Sequence, residues 1–210
     1  MVVINSPPPD PQISIQPVVK VLPPQTRLLR IFNPNKHNTQ ATTFRYFGPI
    51  GRFDHQRHPL TKPKVDMERG INYWGFSLSC CIVEVFGDTR IIETGDLEVA
   101  LVELNESIEL LDLRGVAAMK AGTVSAIAKT ANRDLSQAWA DYFYSQVNIY
   151  GDMAGLLFNN AHNDEDAIAL FERAKPQLES AKVTTLKLNS QALRTAIVDI
   201  AIENSLIFLD

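Results

Sequence analysis

The chain has 210 residues, 45% of them apolar and 21% charged, with a net charge of −4 and a pI near 5.6. Its size suits one compact domain with a sizeable core and appended arms, and an acidic chain with dispersed Lys and Arg argues against nucleic acid as a direct ligand. No apolar run reaches the length of a membrane span and the N-terminus lacks a basic-then-apolar secretory pattern, so a cytoplasmic protein without a membrane partner is expected.

Residues 1–26 read as a Pro-rich N-terminal arm. Pro7, Pro8, Pro9, Pro11, Pro17, Pro23 and Pro24 remove amide donors and favour extended backbone, so the arm is expected to be flexible or to drape over the domain. A short strand is expected within it at 18–22. The folded domain, 27–175, begins with an apolar strand at 28–32 that carries Arg30. Residues 33–56 read as loop, punctuated by Asn33-Pro34, Gly48-Pro49 and Gly51, and the polar stretch 57–69 as a bulge from the core. Apolar character resumes at 71–74. Residues 76–86 admit two readings. Alternation of Phe76, Leu78, Cys80 and Ile82 suits a strand, whereas Ser77 or Ser79 would cap a short helix carrying Glu84.

Strands are expected at 97–101 and 108–113. The alanine-rich stretch 116–130 predicts one or two short helices broken at Gly122. Leu135, Ala138, Trp139, Tyr142 and Phe143 recur at helical spacing behind a cap at Asn132 or Asp134. Late strands at 154–158 and 167–171 flank a polar turn. Residues 176–210 form a C-terminal extension packed on the domain. In it a strand at 184–188 precedes a helix marked by Leu193, Ile197 and Ile200, capped by Asn189 or Ser190. Helices and strands mix without regular alternation, so the fold class is α+β, a single compact domain with mixed or antiparallel sheets and flanking helices.

Chemistry-bearing residues are sparse. Cys80 and Cys81 are neighbours, a bridge between them would be badly strained, and neither has a nearby His to lower its pKa; reduced, buried thiols are expected. His55, His58 and Asp54 share a proline-flanked loop without a distant fourth ligand, so no metal is expected. No Rossmann, P-loop or nucleophile-elbow motif occurs. What remains is Arg52 in Gly51-Arg52-Phe53-Asp54, Tyr73, and Glu84 in an apolar run. Arginine offers phosphate a planar fork and tyrosine offers a ring for stacking. Glutamate can accept sugar hydroxyls or offset charge at a carbon that becomes positive. Singly, each has a plainer reading: Arg52 at the surface, Tyr73 and Trp74 in the core, Glu84 in an internal salt bridge. A carboxylate among Ile82, Val83 and Phe86 is either paired with a base or lines a cavity. Asp134 and Ser136 are most simply capping residues.

Read in order, these residues resemble the RES domain family, named for its Arg, Glu and Ser positions. Leu28-Leu29-Arg30-Ile31-Phe32 resembles its opening strand, Gly51-Arg52-Phe53-Asp54 its Gly-Arg-aromatic segment, and Tyr73 its strand tyrosine. Glu84-Val85-Phe86-Gly87 is similar to the helix segment bearing its glutamate. Ser136-Gln137-Ala138-Trp139-Ala140 and Gly155-Leu156-Leu157-Phe158 are similar to later blocks, and Ala169-Leu170-Phe171 to the closing strand.

The resemblance implies a fold similar to ADP-ribosyltransferases and a toxin neutralised by an Xre-like helix-turn-helix antitoxin. It implies NAD+ as substrate, cleaved at the nicotinamide–ribose bond with water or phosphate as acceptor. Arg30, Arg52, Tyr73 and Asn160 would bind NAD+, and Glu84, Arg52 and Tyr73 would be the catalytic set. In that set the arginines would hold phosphate or ribose, Tyr73 would pack on the nicotinamide side, and Glu84 would act at the nicotinamide ribose. One departure matters: Asn160 stands where the family's serine is expected. An amide still hydrogen-bonds but cannot serve as a hydroxyl nucleophile or proton shuttle. Two alternatives therefore stay open, a protein ADP-ribosyltransferase using the same pocket and a catalytically silent RES-like binding module. The arm or the extension is the expected contact for the partner, or for a second copy in a homo-oligomer.

Overall fold

The computed structural model describes residues 2–8 and 14–209. In chain order the elements are β1 (Val19–Leu22), β2 (Arg27–Phe32), β3 (Phe47–Gly48), β4 (Lys64–Val65), β5 (Ile71–Gly75), α1 (Leu78–Phe86), β6 (Ile91–Glu93), β7 (Glu98–Glu103) and β8 (Ile108–Asp112). They continue with α2 (Gly115–Lys120), α3 (Arg133–Ser145), α4 (Val147–Tyr150), β9 (Gly155–Asn159), β10 (Asp166–Phe171), α5 (Lys175–Ser180), β11 (Lys182–Lys187), α6 (Gln191–Glu203) and β12 (Ile207–Leu209).

Eight strands make one sheet in the order β1-β8-β9-β10-β5-β2-β7-β11. Its pairs are antiparallel except β8 with β9. The central strands bury both faces, which is why they read as apolar runs without polar alternation. In β10, Ala167, Ala169 and Phe171 enter a core shared with Trp139 and Phe143 of α3, while Ile168 and Leu170 enter a second core with Leu28, Trp74 and Val102. A third core joins Ile82 and Phe86 of α1 to Ile92, Val99 and Ile197. The α+β reading holds.

Of the ambiguous stretch 76–86, residues 78–86 are helical. Ser77 caps α1 by accepting from the Cys80 amide at 2.9 Å, and tertiary packing of Cys80, Cys81, Ile82, Val83 and Phe86 overrides the β-propensity of this stretch. Asn132 caps α3, accepting from the Leu135 amide at 3.1 Å. Residues 116–130 form α2 and a 3-10 turn (Ser125–Ala128), parted at Gly122. Six short elements carry no sequence expectation, namely β3, β4, β6, β12, α4 and α5. β6 and β12 have only three residues each and pair with one another in parallel, leaving too little chain for a period to register.

The arm drapes. Ile4 and Ile15 pack on the α3 core, and the Trp139 indole donates to the Asn5 carbonyl at 2.8 Å. Pro9 and Pro11 lie outside the described residues. At the other end of the chain, β11 is the edge strand of the main sheet, pairing with β7 along its whole length. No helix among the described residues is long and apolar enough to cross a membrane.

Candidate active site in the split between β2 and β5

β2 and β5 touch through a single register pair, Leu29 with Gly75. Away from it they part, and the split opens into a cavity of about 800 Å³, within the range usual for small-molecule sites. Arg30 from β2, Tyr73 from β5 and Glu84 from α1 all line it.

Extended backbone sends Tyr73 to the opposite face from Asn72 and Trp74. Trp74 is a core residue. The Tyr73 hydroxyl donates to Asp54 Oδ1 at 2.8 Å and accepts from the Phe53 amide at 3.0 Å. Burial above all, and then Asp54, push its pKa well above the ordinary range. With the hydroxyl engaged, what Tyr73 offers a ligand is its ring.

Asp54 organises this wall. Its fully buried carboxylate accepts from Arg45 Nη2 at 2.7 and 2.9 Å and from the amides of Ile50 and Gly51 at 2.6 and 2.8 Å. Gly51 is required here, because a Cβ would lie 2.8 Å from both the Tyr73 hydroxyl and Asp54 Oδ1. Phe53 anchors the loop in the core, its ring 4.8 Å from that of Phe158. The Gly51-Arg52-Phe53-Asp54 segment is thus a spacer, an outward arginine, a core anchor and a carboxylate clamp.

Arg30 donates from Nη1 to the carbonyls of Ala41 and Thr43 at 2.7 and 3.2 Å. Burial and the nearby Arg45 lower its pKa to about 10. Two guanidinium groups therefore share one wall of the cavity, and the Asp54 carboxylate is clamped on Arg45. Asp54 offsets one of the two positive charges, and the wall keeps a net positive charge that favours an anionic ligand.

Glu84 sits at the mouth, open to solvent yet closely surrounded by protein. Burial raises its pKa, and His162, Arg52 and Arg133 partly offset that effect. Arg52 is not among the cavity residues. It lies on the outer side of Glu84, donating to the Thr130 carbonyl, with its own pKa lowered first by burial and next by Arg133. Asn160 also stands outside the cavity. Its buried side chain accepts from the amides of His162 and Asn163 at 2.9 Å each and donates to Asn163 and the Cys80 sulfur. The structure therefore brings Arg30, Tyr73 and Glu84 together, sets Arg52 beside Glu84, and places Asn160 in the adjoining turn.

Both thiols are free and buried at the cavity wall, with burial pushing Cys80 up to about 12 and Cys81 higher still. No group of three or more His, Cys, Asp or Glu among the described residues is arranged for a metal. His55 instead pairs with Glu172 at 3.2 Å, and Asp54 with Arg45. Sequence reasoning missed Arg45, which nothing local distinguishes from other loop arginines. It also gave Asp54 no role of its own beyond a discounted metal ligand and a place in the Gly-Arg-aromatic segment, because its role depends on Arg45 and on Tyr73, 19 residues away.

A split α+β sheet, with a carboxylate at the mouth of the split and arginines on its wall, defines the class of domain. Comparison with protein-family models matches residues 27–194 to the RES domain. The chain belongs to the RES domain family, which is associated with toxin–antitoxin pairs. The matched span runs through β11 into α6, beyond the motifs that carried the sequence resemblance. A comparison with curated proteins gave no match.

Proposed function

We propose that this protein is a toxin that degrades NAD+ by breaking the bond between nicotinamide and ribose. The observation that carries this reading is the Glu84 carboxyl at the mouth of a cavity whose wall holds Arg30, Arg45 and the Tyr73 ring. The pyrophosphate supplies anionic oxygens to the net positive wall, where Arg30 has no carboxylate partner of its own among the described residues, and the flat Tyr73 ring suits the nicotinamide. As the C–N bond breaks, nicotinamide leaves as a neutral molecule with the bonding pair and the ribose carbon gains oxocarbenium character. The Glu84 carboxylate opposes that developing charge. Water or inorganic phosphate then forms the new C–O bond, water giving up a proton to solvent.

Purified protein is expected to release nicotinamide from NAD+, and Glu84→Gln to lower that release by about a hundredfold or more. Wild type as inert as the variant, with water and with phosphate, would overturn the reading. In that case calorimetric NAD+ binding without release would mark a silent binding domain.

A second reading has its own observation. Phe47, Ile50, Val65 and Val85 line the cavity and are about half exposed, and an apolar rim of this kind suits contact with another protein. That protein is either the neutralising helix-turn-helix partner or an acceptor of ADP-ribose. Incubation with labelled NAD+ separates them, since only an acceptor becomes labelled.

A further inference from the structure

The turn between β9 and β10 carries a histidine to the outer side of Glu84. Asn160 builds this turn through the two amides it accepts and its 2.7 Å bond to Asn163 Oδ1. Asn163 donates to Ser79 Oγ at 3.2 Å and to Asn204 Oδ1 at 3.1 Å, tying the turn to the start of α1 and the end of α6. The backbone at residue 162 is thereby fixed against α1. Its ring lies over the opposite end of that helix, where a Cβ on Gly87 would fall 2.5 Å from His162 Nδ1. His162 Nε2 stands 3.9 Å from Asp88 Oδ1. Gly87 caps α1 in helical backbone three residues after Glu84, so the imidazole packs one turn from Glu84 on the same side of the helix.

Four charged groups act on Glu84: Arg52 from its loop, Arg133 from the start of α3, Asp88 from the turn after α1 and His162 from the β9–β10 turn. The arginines keep their charge throughout the working range, whereas an imidazole gains or loses its charge between about pH 5 and 8.

We propose that His162 is a positioning residue for Glu84, its ring held against the end of α1 beside that carboxyl by the turn that Asn160 builds. The inference rests on the reading of Glu84 as the group that acts at the ribose. It also gives residue 160 a role with no hydroxyl chemistry, since the asparagine positions the histidine. A cation beside a carboxyl favours the ionised form. Without it, the opposing effect of burial is less compensated and Glu84 takes up its proton at higher pH.

The test follows the Glu84 carboxyl directly by carbon NMR titration of the full chain in wild type, His162→Gln and His162→Lys, with Glu84→Gln to assign the signal. Nicotinamide release is recorded from pH 5 to 8 in the same proteins. His162→Gln is expected to move the Glu84 midpoint and the acid limb of the rate profile to higher pH, deepening the loss at pH 5 by roughly threefold. His162→Lys, with its permanent charge, is expected to restore both. An unmoved midpoint in His162→Gln overturns the inference. A moved midpoint in a protein that releases no nicotinamide upholds it and overturns the NAD+ reading instead.

Discussion

Asp54 is the residue on which the geometry of the cavity wall depends. One carboxylate without solvent contact fixes Arg45, the Tyr73 hydroxyl and two loop amides at once. Asp54→Asn keeps the shape but turns an all-acceptor group into one that presents donors to donors. It is expected to cost about 3 kcal/mol in urea unfolding and to loosen Tyr73 and the Arg52 loop together. Glu84 obeys the opposite logic. Its pKa is raised above the ordinary 4.5 chiefly by burial, so the folded state holds the ionised form less readily than the unfolded chain does. The resulting stability is present below pH 4.5 and lost as pH rises through the raised folded value. Glu84→Gln is therefore expected to melt at a higher temperature than wild type near pH 7, with the gain gone below pH 4.5 in a thermal scan. Activity and stability are predicted to move in opposite directions at this position.

Among elements, α1 is the one whose formation decides the site, because it alone presents Glu84. Its residues include Ile82, Val83 and Val85, poor helix formers, so its start depends on Ser77. That side chain caps the Cys80 amide and also donates to Glu165, which lies beside the turn that carries His162. Ser77→Ala is expected to cost about 1–2 kcal/mol by chemical denaturation and to reduce nicotinamide release beyond what stability explains. The strand alternative for residues 76–86 fails for a related reason. A strand would put Glu84 on the same face as Ile82 and Phe86, driving its carboxylate into the core they complete with Ile92 and Ile197.

For the molecule as a whole, a buried polar cluster joins the loop after Arg52 to the end of β10. His55 is enclosed between the Tyr144 and Phe171 rings, with centroids 4.5 and 4.4 Å away, and bonds Glu172 at 3.2 Å. Glu172 is a carboxylate and accepts only, so Nε2 of a neutral His55 carries the proton. Burial lowers the His55 pKa below the ordinary 6.5, and hydrogen bonds from His55 and Tyr144 hold Glu172 below 4.5 against burial. Both depressed groups contribute stability at higher pH that is lost as pH falls, His55 from 6.5 downward and Glu172 from 4.5 downward. Unfolding free energy is expected to decline on acidification below pH 6.5, and His55→Gln to flatten the upper part of that decline. A variant with the wild-type slope between pH 6.5 and 5 would remove His55 from the account.

The sequence by itself determined most strands and helices, the caps at Asn132 and within the Ser77/Ser79 choice, the buried thiols, and the residues that resemble a RES domain. These depend on periods and capping contacts a few residues long. Tertiary structure alone decided that 78–86 is helical, that β11 extends the main sheet, and that β2 and β5 part to make a cavity. It also decided that Arg45 lines the cavity, that Asp54 clamps it there, and that Asn160 holds a turn whose His162 ring lies against the end of α1. Each of these outcomes rests on contacts between residues distant in the chain, and their energies come from burial and charge pairing that no local pattern encodes.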